Sequence, residues 1–135
     1  MTPEKLIALA IEAMDNAYAP YSGFKVGAAL LCSDGTVYTG CNIENAAYSP
    51  SNCAERTAIF KAVSEGRRDF AAIAVCGGKA GKITDFCPPC GVCRQVLREF
   101  CKDDFPVYLA GPAGKYKTLT LADLLPCSFG DSLLR

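Results

Sequence analysis

Two separated cysteine clusters constrain this chain most: Cys53-Ala54-Glu55, and far downstream Pro89-Cys90-Gly91-Val92-Cys93, in a sequence with no histidine. Each cluster opens a predicted helix, so a fold that uses all three thiols together must aim two helix starts at one point. Helix N-termini carry partial positive charge and free N–H groups, which favour thiolate over thiol. Cys90 and Cys93 are spaced to face one point within a first turn. Three thiolates on one Zn²⁺ leave its fourth position to water, as catalytic sites do and structural sites do not. Glu55, two residues past Cys53, is placed to move protons at that water.

Three thiolates also leave the metal site net negative. Arg56 follows Glu55 directly and Gln95 lies one turn into the second helix; hydrogen bonds from both to the sulfurs would offset that charge. Other readings stand beside these. Asn52 to Glu55 has the spacing of a helix cap and its third residue, so Glu55 also fits a capping role. A bare Cys-x-x-Cys serves redox chemistry as well as zinc, although the upstream triplet and Pro89 favour zinc. Cys87-Pro88-Pro89-Cys90 repeats the spacing, but its prolines disfavour a helical start, which leaves Cys87 as a loop thiol. Cys32, Cys41, Cys76, Cys101 and Cys127 read as packing residues. Gly77 to Gly81 lacks the spacing of a phosphate-binding loop and reads as a plain connection.

The 135 residues suit a single domain spanning 1–135, with half the side chains apolar and enough of them for a real core. Fourteen basic and fourteen acidic residues cancel, which argues against a nucleic-acid partner. The odd number of cysteines, nine, fits reduced thiols and metal ligands better than a disulfide framework. Met1 to Lys5 lacks the basic start of a signal peptide, and no apolar run reaches membrane-spanning length. The expectation is a soluble, cytoplasmic protein without a membrane partner.

Thr2 reads as a cap with Pro3 at the first helical position. Leu6, Ile7, Ala10, Ile11, Met14, Ala17 and Tyr18 then recur at helical spacing, with Pro20 and Gly23 ending the element. Strands are predicted over 25–31 and 37–42 around an Asp34-Gly35 turn. A helix follows from Cys53 to Gly66 with Asn52 as its cap, then a buried strand over 71–76. A helix over 90–100, a strand over 106–110, a short strand over 117–119 and a capping box at Thr120–Asp123 complete the pattern. This order predicts an α/β fold: three layers, α/β/α, around a mixed sheet of about five strands.

The motifs together resemble one family. Tyr18-Ala19-Pro20-Tyr21-Ser22-x-Phe24-x-Val26-Gly27-Ala28-Ala29-Leu30 and Gly40-Cys41-Asn42-Ile43-Glu44-Asn45-Ala46-Ala47-Tyr48 are similar to segments of the small, homotetrameric, zinc-dependent cytidine deaminases. So are Cys53-Ala54-Glu55-Arg56-Thr57-Ala58, Pro89-Cys90-Gly91-x-Cys93-Arg94-Gln95 and Leu124-Leu125-Pro126-x-Ser128-Phe129. The resemblance covers nearly the whole chain. It implies hydrolytic deamination of cytidine and deoxycytidine with one Zn²⁺ per chain, held by Cys53, Cys90 and Cys93, with Glu55 as proton carrier. It further implies that Phe24 packs on the base, Asn42 and Glu44 bind the ribose, and the Ala54 backbone reads the ring edge. Ala46, Tyr48 and Phe129 would close sites shared between subunits of a homotetramer. A deaminase of a cytosine-containing antibiotic is the nearest alternative, and a non-catalytic zinc module, needing a fourth ligand, is a remoter one.

Overall fold

The Thr2 hydroxyl accepts the Lys5 N–H at 3.2 Å, and Pro3 opens α1, Pro3–Met14. This computed structural model describes all 135 residues, Met1–Arg135. α1 stops short of the predicted apolar stripe. The Asp15, Asn16 and Ala17 N–H groups turn back to the Glu12, Ala13 and Met14 carbonyls, and Tyr18 instead bridges to Ile43. Leu6, Ile7, Ala10 and Met14 are buried while Ile11 faces outward.

The remaining elements are β1 (Phe24–Cys32), β2 (Val37–Cys41), α2 (Ala54–Ser64), β3 (Phe70–Lys79), α3 (Gly91–Phe100), β4 (Pro106–Ala110), β5 (Tyr116–Thr120) and α4 (Leu121–Leu124). The sheet runs β2-β1-β3-β4-β5. β3 and β4 are parallel and joined through α3; every other pair is antiparallel. The hairpin turns at Gly35, whose φ of +94° is costly for any side chain. Thr120 and Asp123 make the predicted reciprocal cap at the start of α4.

Strand alternation divides the core into two layers. α1 packs with Ala29, Ala72, Ala74 and Cys76 on one face of the sheet. α2, α3 and α4 pack with Ala28, Leu30, Ile73, Val75 and Val107 on the other. The result is the expected three-layer α/β/α arrangement around a mixed five-stranded sheet. Both helix layers lie unusually close to it. A Cβ on Gly27 would strike the Ala10 carbonyl of α1, and one on Gly40 would strike the Ala54 carbonyl of α2.

Four local expectations are corrected. β3 continues to Lys79, so Gly77 and Gly78 are strand residues; at Gly78 the absent Cβ leaves room for the Lys82 carbonyl to fold back. α2 begins at Ala54, with Cys53 rather than Asn52 at the cap. Asn52 instead donates its amide to the Thr57 hydroxyl at 3.2 Å. Cys127 is exposed, with a left-handed φ of +50°, and Cys41 is half-buried; neither is a core residue like Cys32, Cys76 and Cys101.

Candidate metal centre and active site

The cap positions of α2 and α3 face each other across one end of the sheet. Cys53 caps α2 and Cys90 caps α3, both in extended backbone with no side-chain cap bond, while Cys93 lies in the first turn of α3. The Cys53 and Cys90 sulfurs are 3.7 Å apart and the Cys90 and Cys93 sulfurs 3.6 Å. All three lie within 4.8 Å of one another. Each thiol thus occupies the place where a helix lacks an internal acceptor for its first N–H groups. Three soft donors converging from two rigid helices, with no fourth Cys or His among them, fit a zinc site with an open position.

The charge balance of the cluster is built in. Arg56 Nη2 stands 3.2 Å from Cys53 Sγ. The Cys53 thiol is drawn down to about 5, first by a hydrogen bond from Cys93 and against the cost of burial, with further help from Arg56. Cys93 moves the opposite way, because its proton is the one shared with Cys53 and because it is buried. Gln95 does not take the expected role. Its Nε2 donates to the Phe129 carbonyl at 2.9 Å and so ties the C-terminal segment to α3.

Glu55, in the first turn of α2, is 3 % exposed, and its Oε1 has no hydrogen-bond partner. With Cys53 at the cap, Glu55 falls one position short of the capping-box place. Burial pushes its carboxyl up to about 7. A buried carboxyl oxygen left without a partner costs stability, which points to a use other than packing.

In front of these groups lies a cavity of about 260 Å³, lined by Val26, Asn42, Glu44, Ala54, Glu55 and Cys87 among others. Asn42 and Glu44 reach it while also holding the chain around Phe24. Asn42 accepts the Val26 N–H and donates to the Phe24 carbonyl, both at 2.8 Å. Glu44 Oε1 accepts the Tyr21 and Ser22 N–H groups at 2.9 and 3.1 Å, and its Oε2 accepts the Ser22 hydroxyl. That hydroxyl in turn accepts the Phe24 N–H at 2.9 Å.

Ala46, Tyr48 and Phe129 stand apart from this cavity, on the exposed surface. Tyr48, with φ of +58°, meets Tyr21 edge-on at 6.3 Å. Phe24 is 39 % exposed at the start of β1, with its ring beside Gly77.

Three site residues escaped the sequence reading. Cys87 lines the cavity, and burial raises its thiol to about 11. Ser22 links Glu44 to the Phe24 backbone, a role with no signal beyond its place before Phe24. Arg94 donates through Nε to the Pro89 carbonyl and through Nη1 to the Leu124 carbonyl, both at 2.7 Å. Its position directly after the Cys-x-x-Cys was the available clue.

The cluster, the buried carboxyl and the facing cavity define a metal-assisted hydrolase. The zinc-binding region of the cytidine and deoxycytidylate deaminases matches residues 1–109, and the chain belongs to that family. It is 56 % identical over 129 residues to a cytidine deaminase of Sporosarcina psychrophila, covering 96 % of this chain and 92 % of that one. It is 53 % identical over 129 residues to the cytidine deaminase of Halalkalibacterium halodurans, covering 96 % and 95 %. The crystal structure of cytidine deaminase from Burkholderia pseudomallei superposes with a TM-score of 0.88 at 49 % identity, covering 96 % of this chain and all of that one.

Proposed function

We infer that this chain is a zinc-dependent cytidine deaminase, converting cytidine and deoxycytidine to uridine and deoxyuridine with release of ammonia. The observation that carries this reading is the buried Glu55 carboxyl, one oxygen of it unpartnered, beside three converging sulfurs at the end of a small cavity. Zinc, when held by Cys53, Cys90 and Cys93, supplies the Lewis acidity that makes water a nucleophile at neutral pH.

The chain's own residues do the rest. Glu55 takes a proton from the incoming water and delivers it to ring N3 as the oxygen adds at C4. It then passes the second proton to the departing amine as the C4–N bond breaks, so water enters and ammonia leaves. A carboxyl held near 7 by burial serves both directions at neutral pH. Arg56 holds positive charge against the Cys53 thiolate. The Ala54 backbone meets the amide edge of the base and Phe24 its face.

Asn42 and Glu44 take the ribose hydroxyls. Their internal bonds do not exhaust them, since a carboxylate accepts at about four sites and a carboxamide offers two donors. Because those bonds also fix Phe24, the sugar and base ends of the site are mechanically one unit.

The whole chain, 1–135, acts as one domain of a cytoplasmic homotetramer with shared sites. Supporting this, the cavity lies below the ~300–1,000 Å³ usual for small-molecule sites. Ala46, Tyr48 and Phe129 lie outside it, where they can close a neighbour's site; Tyr48 and Phe129 are 73 % and 56 % exposed. The test is direct: purified protein is offered cytidine, deoxycytidine and a cytosine-containing nucleoside antibiotic, while light scattering records its mass. Turnover of the two plain nucleosides by a tetramer is expected. Turnover of the antibiotic alone, or full activity as a monomer, would overturn the corresponding part.

A further inference from the structure

Residues 83–89 lead into Cys90 without any regular element, and none of their backbone groups bonds to another backbone group. Something else must fix where Cys90 and the start of α3 stand. The fully buried Pro89 does so next to Cys90, and two adjacent side chains do so upstream of it. The Phe86 ring sits in a notch over Gly111, just past β4, where an added Cβ would come within 2.5 Å of the ring. Cys87 Sγ sits in a second notch over Gly77 of β3, where an added Cβ would come within 2.9 Å. Lys117 Nζ covers the Phe86 ring at 4.4 Å from its centroid.

From these seats to Cys90 the chain passes only through Pro88 and Pro89, whose rings fix φ. Arg94 then clamps the Pro89 carbonyl from the α3 side. A displacement of Phe86 is therefore transmitted along a stiff link to Cys90 and, through the helix start, to Cys93. We propose that Phe86, seated on Gly111, is a positioning residue for the metal site, setting the approach of Cys90 and Cys93 to Cys53. The inference rests on the reading of those three sulfurs as the zinc ligands.

Gly111 makes a clean probe, since its φ of −118° is open to any residue and alanine there disturbs the ring rather than the backbone. The experiment follows zinc release from the loaded, full-length protein to a chromophoric chelator, together with the thiolate-to-cobalt absorption of cobalt-loaded samples. Phe86→Ala and Gly111→Ala are each expected to release zinc about tenfold faster or more, in line with losses of supporting contacts around metal ligands, and to shift the cobalt bands. Phe86→Leu, which refills most of the notch, should recover much of the wild-type rate.

The double variant should be no faster than Phe86→Ala alone, because the new methyl then meets no ring. Wild-type release and an unshifted cobalt spectrum in a folded Phe86→Ala protein would overturn the proposal. If that variant does not fold, the same result in Gly111→Ala overturns it. Failure of the wild type itself to hold zinc at these thiols is a different result, and it would remove the site assignment on which the proposal depends.

Discussion

Arg56 Nη2 lies 3.2 Å from Cys53 Sγ, one helical turn along α2 from the thiol it faces. A guanidinium in that place withdraws charge from the thiolate and leaves a bound metal more electrophilic. Arg56→Ala should therefore lower kcat by about 10- to 100-fold, the usual loss for a contact behind a metal ligand, with little change in KM. Steady-state kinetics on zinc-replete protein separates the two constants. A raised KM at unchanged kcat would assign Arg56 to substrate binding instead.

Glu55 combines near-complete burial with an unpartnered oxygen. Glu55→Gln keeps the shape and removes the proton carrier. Turnover should fall by about 10² to 10⁴, with zinc content unchanged. Thermal stability should hold or rise, because a neutral amide is less costly to bury than a carboxyl. A loss of several degrees in Tm would mean the carboxylate has a structural partner.

Gly27 and Gly40 set the helix-to-sheet distances on opposite faces. Gly40→Ala would drive a methyl into the Ala54 carbonyl, just before Glu55. Overpacking of this kind costs about 1–3 kcal/mol. Since the displaced element is the first turn of α2, activity should fall further than stability. Denaturant unfolding alongside turnover measures both.

Glu44 is held below the ordinary carboxylate range, chiefly by the Ser22 hydroxyl, against the cost of desolvation and with further help from the Tyr21 and Ser22 N–H groups. A folded-state value lowered in this way gives a contribution that is complete above the ordinary glutamate value of ~4.3. It is lost as pH falls through the lowered one. The amide resonances of Tyr21 and Ser22 should titrate with a midpoint below that ordinary value, and Glu44→Gln should abolish the titration. A midpoint at or above it would show the bonds to be absent in solution.

Much of this was legible from residue order because several motifs act locally. The Thr2 and Thr120 caps, the Gly35 turn and the thiol-bearing helix starts each depend on neighbours within a few positions. What was not legible depends on distant partners. Gly77 and Gly78 read as part of a plain connection, yet they lie inside β3, paired with Val26 and Lys25 of β1, and Cys87 and Lys82 fill the space their side chains would take. Asn52 has the residue type of a cap, but the cap position goes to Cys53, and Asn52 turns to Thr57. Gln95 has the right spacing for a thiolate but finds the Phe129 carbonyl, far away in sequence. The family resemblance named Asn42 and Glu44 for the sugar; that their side chains also hold Phe24 in place appears only in three dimensions.

If Cys53, Cys90 and Cys93 hold one zinc ion which, with Glu55, deaminates cytidine, metal content and turnover rise and fall together. The most direct measurement is zinc content and ammonia release from cytidine on the same preparation, before metal removal, after it and after zinc is restored. The expected result is one zinc per chain, ammonia and uridine in equal amounts, loss of turnover without metal and recovery with it. A folded, zinc-filled protein that releases no ammonia, or turnover that survives complete metal removal, would contradict it.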